Sequence, residues 1–164
     1  MEGKPLSDKM FAIVVLYEMQ TDFLKRALDG IAEADAQKRL DTKANHIAWI
    51  TGSVVSGRYY LAKFFDIDLA SETGKLFNGN QGIIDGATYP TLDEFLNDWD
   101  QISPSLHDAF MNASEEKLKE NIQMPGMEMT LFDMISFTSY REANCIGQIA
   151  LWRRLLDYSA MNYM

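Results

Sequence analysis

The chain has 164 residues, 47% hydrophobic and 24% charged, which predicts one soluble globular domain over residues 1–164. Its formal net charge of −9 is the wrong sign for a surface that replaces phosphate counterions, so we expect no nucleic-acid partner. No run of about 18 apolar residues occurs, so we expect no membrane span. The first residues lack the pattern of a signal peptide and the single cysteine cannot form an internal disulfide, which together favour a cytoplasmic protein.

The first predicted helix covers residues 7–29, with Ser7 as its N-cap and Gly30 beyond its end. Apolar residues recur there at spacings of three and four, which indicates one buried stripe. A second side of the same helix is also apolar and carries Phe11, Val15, Met19 and Phe23. Because an exposed apolar patch of that size reduces solubility, we predict a two-fold homodimer.

The second predicted helix covers residues 44–66 and contains Gly52 and Gly57 in its interior. Each interior glycine costs about 1 kcal/mol relative to alanine, so such residues usually permit close packing or leave room for something else. We take them as a sign of a cavity beside Ser53. The long connection that follows, residues 67–90, is predicted to contain a short helix near residues 71–77.

The third predicted helix covers residues 91–112, and its start is marked by the capping box of Thr91 and Glu94. Pro104 is expected to bend this helix because it removes one backbone hydrogen bond. A short extra turn is predicted from Ser114, and it ends in a loop at residues 124–126.

The fourth predicted helix covers residues 130–158, with Thr130 and Asp133 at its start. No segment shows the alternation of polar and apolar residues that strands require. The expected fold is therefore all-α, an antiparallel four-helix bundle with a long link between helices 2 and 3.

Three stretches of the sequence are informative together, and in chain order they read NHIAWITGSVVSGRYYLAKFFDI, YPTLDEFLNDWDQISPSL and TLFDMISFTSYREANCIGQIALWRRLLD. In this order they resemble the DinB superfamily, whose members include YfiT-like metal-dependent hydrolases and thiol-dependent transferases. The resemblance covers nearly the whole chain and implies a bundle of the DinB/YfiT-like type.

The resemblance also implies a site, since the family holds a divalent metal with three histidines that meet in one pocket. The corresponding positions here are Ser53, Arg141 and Cys145, so all three ligands are replaced. A guanidinium keeps its proton and cannot bind a metal, and a serine hydroxyl binds one poorly. We therefore expect no metal and no cofactor. The two histidines elsewhere, His46 and His107, are expected to have no special role.

Several residues are predicted around this pocket. Its walls are assigned to Tyr60, Phe64, Trp99, Gln148 and Trp152, and both Gln148 and Glu142 are expected to form hydrogen bonds between helices. For Arg141 three roles stay open. It holds a small anionic ligand, it lowers the pKa of Cys145 and makes that thiol reactive, or it fills the former metal space and pairs with Glu18, Asp22 or Glu142.

Three functions follow from these roles. The first is a metal-free bundle that binds a small molecule or acts as a regulatory domain. The second is an enzyme, a thiol-dependent transferase or a hydrolase, that uses Arg141 and Cys145 in place of the metal. The third is a structural or interaction protein whose pocket is filled.

Overall fold

The structure is a computed structural model that describes residues 3–124 and 126–164, with only the backbone described at Asn80, and it is mostly helical. Its helices and strands, in chain order, are α1 (Met10–Leu28), α2 (Glu33–Ala36), α3 (Ile47–Ala62), α4 (Leu92–Met111), α5 (Glu115–Leu118), β1 (Asn121–Met124), β2 (Met127–Thr130) and α6 (Leu131–Leu155). Two 3-10 segments, Lys63–Phe65 and Gly74–Asn80, follow α3. Within the described ranges, no helix combines the length and the hydropathy needed to cross a membrane.

Local sequence signals account for the starts of α4 and α6. At both helices the predicted capping box is present, with Thr91 and Glu94 at α4 and Thr130 and Asp133 at α6. Each threonine oxygen accepts a backbone N–H, and each carboxylate accepts the threonine N–H in return. The capping boxes stabilise the starts of α4 and α6, because they give hydrogen-bond acceptors to backbone N–H groups that have no partner within the helix.

The helix α1 starts three residues later than predicted, because Ser7 does not act as its N-cap. The Ser7 hydroxyl instead donates to the carboxylate of Glu115 at the start of α5. Lys9 occupies the N-cap position without a side-chain cap bond. Ser7 therefore ties the N-terminal segment to α5 rather than opening α1.

The helix α3 starts at Ile47 rather than at residue 44, because His46 is its N-cap. The Nδ1 atom of His46 accepts a hydrogen bond from the backbone N–H of Trp49 over 3.1 Å. At its other end α3 stops at Ala62, after which the chain tightens into a 3-10 turn and Asp66 adopts a positive φ of 55°. The helix is continuous through its interior glycines.

Contacts between α1 and α4, and between α3 and α6, define two antiparallel pairs. The N-terminal side of α1 lies at the end of α4, where the Leu6 N–H donates to the Met111 carbonyl over 2.8 Å. Near the other end of α1, the Lys25 ammonium lies 2.5 Å from the Asp100 carboxylate. For α3 and α6, Trp152 donates to the carbonyl of Asn45, ahead of α3, while Arg58 contacts Glu142.

The pairs α1–α6 and α3–α4 run parallel, which departs from the antiparallel arrangement expected from the sequence. Gln20 bonds to Ser139, and seven residues further along α1 the Ala27 carbonyl accepts from Arg153. The link at residues 63–91 is long enough to allow the parallel course of α3 and α4. A helix of 16 residues rises about 24 Å, a distance that about eight extended residues can cover.

A two-stranded antiparallel hairpin precedes α6, so the expectation of no strands is wrong. Its strands have four residues each, and Asn121 pairs with Thr130 while Met124 pairs with Met127. Four residues are too few to display a clear alternation, and only Ile122 is buried. The predicted loop at residues 124–126 coincides with the turn of this hairpin, although Pro125 lies outside the described residues.

Gly52 serves close packing rather than a cavity. A Cβ atom at this position would lie 2.2 Å from the ring of Phe77 and 2.6 Å from the ring of Phe95. Phe77 belongs to the second 3-10 segment, which is the short helix predicted near residues 71–77. The absence of a side chain at Gly52 thus allows the long link to pack directly on α3.

Candidate functional site

The predicted site residue Arg141 lies against α3. Its Nη1 atom donates to the Ser53 carbonyl over 3.2 Å, and its Nη2 atom donates to the Ser53 hydroxyl. Gly57 leaves room for this contact, because a Cβ atom there would lie 2.9 Å from Arg141 Nη1. Two of the three residues predicted to form the pocket, Ser53 and Arg141, are therefore in direct contact.

The charge of Arg141 is held by neutral groups. The side chain is half-buried, and in the part of the chain that the structure describes no carboxylate oxygen lies within 4.0 Å of its guanidinium. The three carboxylates considered as partners bind other groups: Glu18 contacts His107, Asp22 contacts Arg26, and Glu142 contacts Arg58. The expected ion pair between Arg141 and one of these carboxylates is not formed.

Cys145 lies one helical turn after Arg141, on the buried side of α6. Burial raises the pKa of the Cys145 thiol, and this effect exceeds the lowering of the pKa by Arg141. The negative charge of Glu142 raises the pKa of the thiol further. The thiolate is therefore disfavoured, and the environment of Cys145 is that of an inert core cysteine rather than of a nucleophile.

The structure places the residues predicted to line the pocket in several different surroundings. The Tyr60 side chain is 45% exposed and packs edge-on against Phe64, with ring centroids 5.4 Å apart. Trp152 is buried and donates to the Asn45 carbonyl over 2.9 Å. The exposed Gln148 donates to Asn144 within the same helix, so its predicted hydrogen bond between helices is wrong. Trp99 belongs to a separate cluster.

That cluster surrounds Arg58, a fully buried arginine that sequence reasoning missed. The Arg58 Nε and Nη2 atoms each donate to one carboxylate oxygen of Glu142 over 2.8 Å. Its Nη1 atom donates to the hydroxyls of Thr21 and Ser103 over 2.9 and 2.7 Å. The predicted hydrogen bond of Glu142 between helices is therefore confirmed, with Arg58 as its partner.

Aromatic rings close both faces of the Arg58 guanidinium. Its central carbon lies 3.4 Å from a ring centroid of Trp99 and 3.9 Å from that of Tyr17. All four long helices thus contribute to one network, which neutralises and encloses the buried charge. A charged residue within the apolar stretch SVVSGRYYL of α3 was the available sequence signal. It indicates a buried pair, but it does not name the partner 84 residues away.

The two histidines have structural contacts. His46 is buried at the start of α3, and its ring packs edge-on against Tyr89 with centroids 4.9 Å apart. Burial lowers the pKa of His46, and the positive charge of Arg39 lowers it further. The Nε2 atom of His107 lies 3.0 Å from the Glu18 carboxylate. Among residues 3–124 and 126–164, no three His, Cys, Asp or Glu side chains are grouped so that they could hold a metal ion.

A concavity of 450 Å³ between the end of α1 and the start of α4 lies away from Arg141. Its lining includes Asp29, Glu33, Asp93 and Asp100, together with Lys25, which pairs with Asp100. The excess of carboxylates makes this surface unsuitable for an anion.

The arrangement at Arg141 can therefore present a cation, whereas the surroundings of Cys145 do not favour a thiolate. Comparison of the chain with protein-family models, with curated proteins and with solved structures found no match in any of the three.

Proposed function

We propose that this chain is a four-helix bundle of the DinB/YfiT-like type that has lost the metal site and binds a small anionic ligand at Arg141. It would act in the cytoplasm as a metal-free binding or regulatory domain. The packing of α1 and α3 each against both α4 and α6, with a long link between α3 and α4, supports this fold. The contact between Ser53 and Arg141 supports the alignment of these positions with two of the family's metal ligands.

The observation that carries the ligand proposal is the positive charge of Arg141, which the carbonyl and the hydroxyl of Ser53 hold in place. A guanidinium has five N–H donors, of which Ser53 accepts two. The others can form the paired hydrogen bonds that a carboxylate or a phosphate accepts. A half-buried position strengthens such bonds relative to a fully solvated arginine. Because Ser53 already orients the guanidinium, a ligand does not have to order this side chain.

The test is a titration with inorganic phosphate and with acetate, followed by NMR through the Arg141 Nε–H signal and the Ser53 backbone amide. Saturable shifts at millimolar concentration are expected for the wild type and for Arg154→Gln, which removes an exposed charge from the same helix. The shifts should be lost in Arg141→Gln. Equal shifts in Arg141→Gln, or shifts that never saturate, would refute the proposal.

A structural or interaction protein is the second candidate, because the room at the two interior glycines of α3 is occupied. Phe77 lies over Gly52, and the guanidinium of Arg141 lies over Gly57. Under this alternative Arg141 only bridges α3 and α6. The NMR titration separates the two, since a purely bridging arginine would give no saturable response to either anion.

The enzyme alternative, a transferase or hydrolase based on Cys145, has less support. Burial of the thiol and its raised pKa both oppose nucleophilic attack. Alkylation of Cys145 by iodoacetamide near neutral pH should therefore be slower than that of a free cysteine. A rate above that of free cysteine would restore this alternative.

A further inference from the structure

The outer face of α6 carries an exposed, uncharged stripe with large apolar residues towards both ends. Its large members are Phe137, Tyr140, Leu151 and Leu155, each more than half exposed. The exposed Asn144, Gly147 and Gln148 lie between them at the same helical spacing, so the stripe continues for about 27 Å along the helix. Two exposed apolar pairs on one face of a helix, Phe137 with Tyr140 and Leu151 with Leu155, are unusual for a protein that stays alone in solution.

The charges at the two ends of this stripe are opposite in sign. None of its seven positions holds a charged residue, although the chain has 39 charged side chains. The exposed Asp133 lies before the stripe in the first turn of α6, and the exposed Arg154 lies in the last turn. The seven positions of the stripe are therefore uncharged, with an acidic residue at one end and a basic residue at the other, while the half-buried Arg141 borders the stripe beside Asn144.

This pattern is complementary to itself when two copies of α6 cross antiparallel. With the two-fold axis at Asn144, Phe137 of one copy faces Leu151 of the other, and Tyr140 faces Gly147 and Gln148, so that a large ring meets a small residue. The same axis brings Asp133 of one copy near Arg154 of the other. Antiparallel helix dipoles also attract one another at their ends.

We propose that a second copy of this chain covers the outer face of α6, in a two-fold dimer whose α6 helices cross antiparallel at Asn144. Dimerisation was expected from the apolar residues of α1, and Phe11, Val15 and Met19 are indeed exposed. The face of α1 is less suitable as the centre of an interface. Asp22 and Arg26 form an ion pair on this helix, and Phe23 is covered by Tyr163.

The first experiment is sedimentation equilibrium of the full chain at tens of micromolar. The wild type should have twice the chain mass of 18.7 kDa. Tyr140→Glu and Leu151→Glu should each weaken dimerisation about 100-fold or more, because each brings two carboxylates into an apolar contact. Met127→Glu is the matched control, since Met127 is 57% exposed in the hairpin. This change should leave the mass unaltered.

The second experiment tests the crossing point. Asn144→Cys in a Cys145→Ser background should form a disulfide between copies when oxidised glutathione is added, because residues at the axis lie within disulfide reach. Met127→Cys in the same background should stay uncross-linked. A monomeric wild type would overturn the proposal. The proposal would also be overturned if the dimer persisted in Tyr140→Glu, if Asn144→Cys failed to cross-link, or if only Phe11→Glu dissociated the dimer. In each case the interface would lie elsewhere.

Discussion

Removal of the carboxylate that neutralises Arg58 is the most informative perturbation of this protein. In Glu142→Gln, two hydrogen bonds of 2.8 Å to a charged acceptor are replaced by at most one to a neutral amide. Water cannot replace the lost hydrogen bonds, because both faces of the Arg58 guanidinium are covered by aromatic rings and no part of Arg58 reaches solvent. Breaking a buried pair in this way typically costs about 3–5 kcal/mol.

Such a cost is a large share of the total stability, since single domains unfold with a free energy of about 5–15 kcal/mol. We expect Glu142→Gln to lower the free energy of unfolding by about 3–5 kcal/mol in urea denaturation followed by circular dichroism. The hydroxyls of Thr21 and Ser103 still accept from Arg58, which favours the lower half of this range. Thermal scans should show a matching decrease of the melting temperature.

Two controls separate the buried charge from charge loss in general. Asp100→Asn removes the partner of Lys25 in an exposed pair, and we expect a loss of less than about 1 kcal/mol. The double change Arg58→Met with Glu142→Leu removes both charges and should recover most of the stability lost in Glu142→Gln. If Glu142→Gln costs no more than Asp100→Asn, the reasoning about the buried pair is wrong.

Three further predictions concern the glycines, a histidine and the three positions at which the resemblance implied metal ligands. Gly52→Ala should lower the free energy of unfolding by about 1–3 kcal/mol, because the added methyl crowds Phe77. Gly147→Ala should cause no loss, because its added methyl meets no neighbour within 4 Å. Both variants are to be measured in a monomeric Tyr140→Glu background. His46 caps α3 through an unprotonated Nδ1, and its pKa is lowered on folding, so its contribution is complete above the ordinary value of 6.5 and is lost as the pH falls through the lower folded pKa. Melting temperatures measured from neutral to mildly acidic pH should therefore fall more for the wild type than for His46→Asn, and equal slopes would contradict this assignment. Ser53→His, Arg141→His and Cys145→His together should create nickel binding, seen as a nickel-dependent rise in melting temperature that the wild type lacks. A folded triple variant that binds no nickel would show that the alignment of these positions is wrong.

Local sequence signals predicted most of the helices, because capping and apolar periodicity act over a few residues. The capping boxes at Thr91 and Thr130 located the starts of α4 and α6 closely. The start of α1 was misplaced because Ser7 bonds to Glu115, a residue 108 positions away. The hairpin was missed because strands of four residues carry too little pattern to be distinguished from a loop.

The site was less predictable, because the partner of a buried charge depends on how the helices pack. Arg141 contacts Ser53 on α3, whereas Glu142 pairs with Arg58 rather than with its neighbour on α6. Both Arg141 and Glu142 lie on α6, and a turn of 100° between successive residues sends one to the edge of α3 and the other into the core. Only the packed structure distinguishes those two directions.

The network around Arg58 also bears on how the chain acquires its structure during synthesis. Arg58 emerges 84 residues before Glu142, and α6 is the last of the four long helices to be made. Until α6 docks, a compact arrangement of α1, α3 and α4 would bury a guanidinium charge with no carboxylate beside it, which is strongly unfavourable. The earlier helices therefore leave the core incomplete, and we expect cooperative folding of this protein to require its final helix.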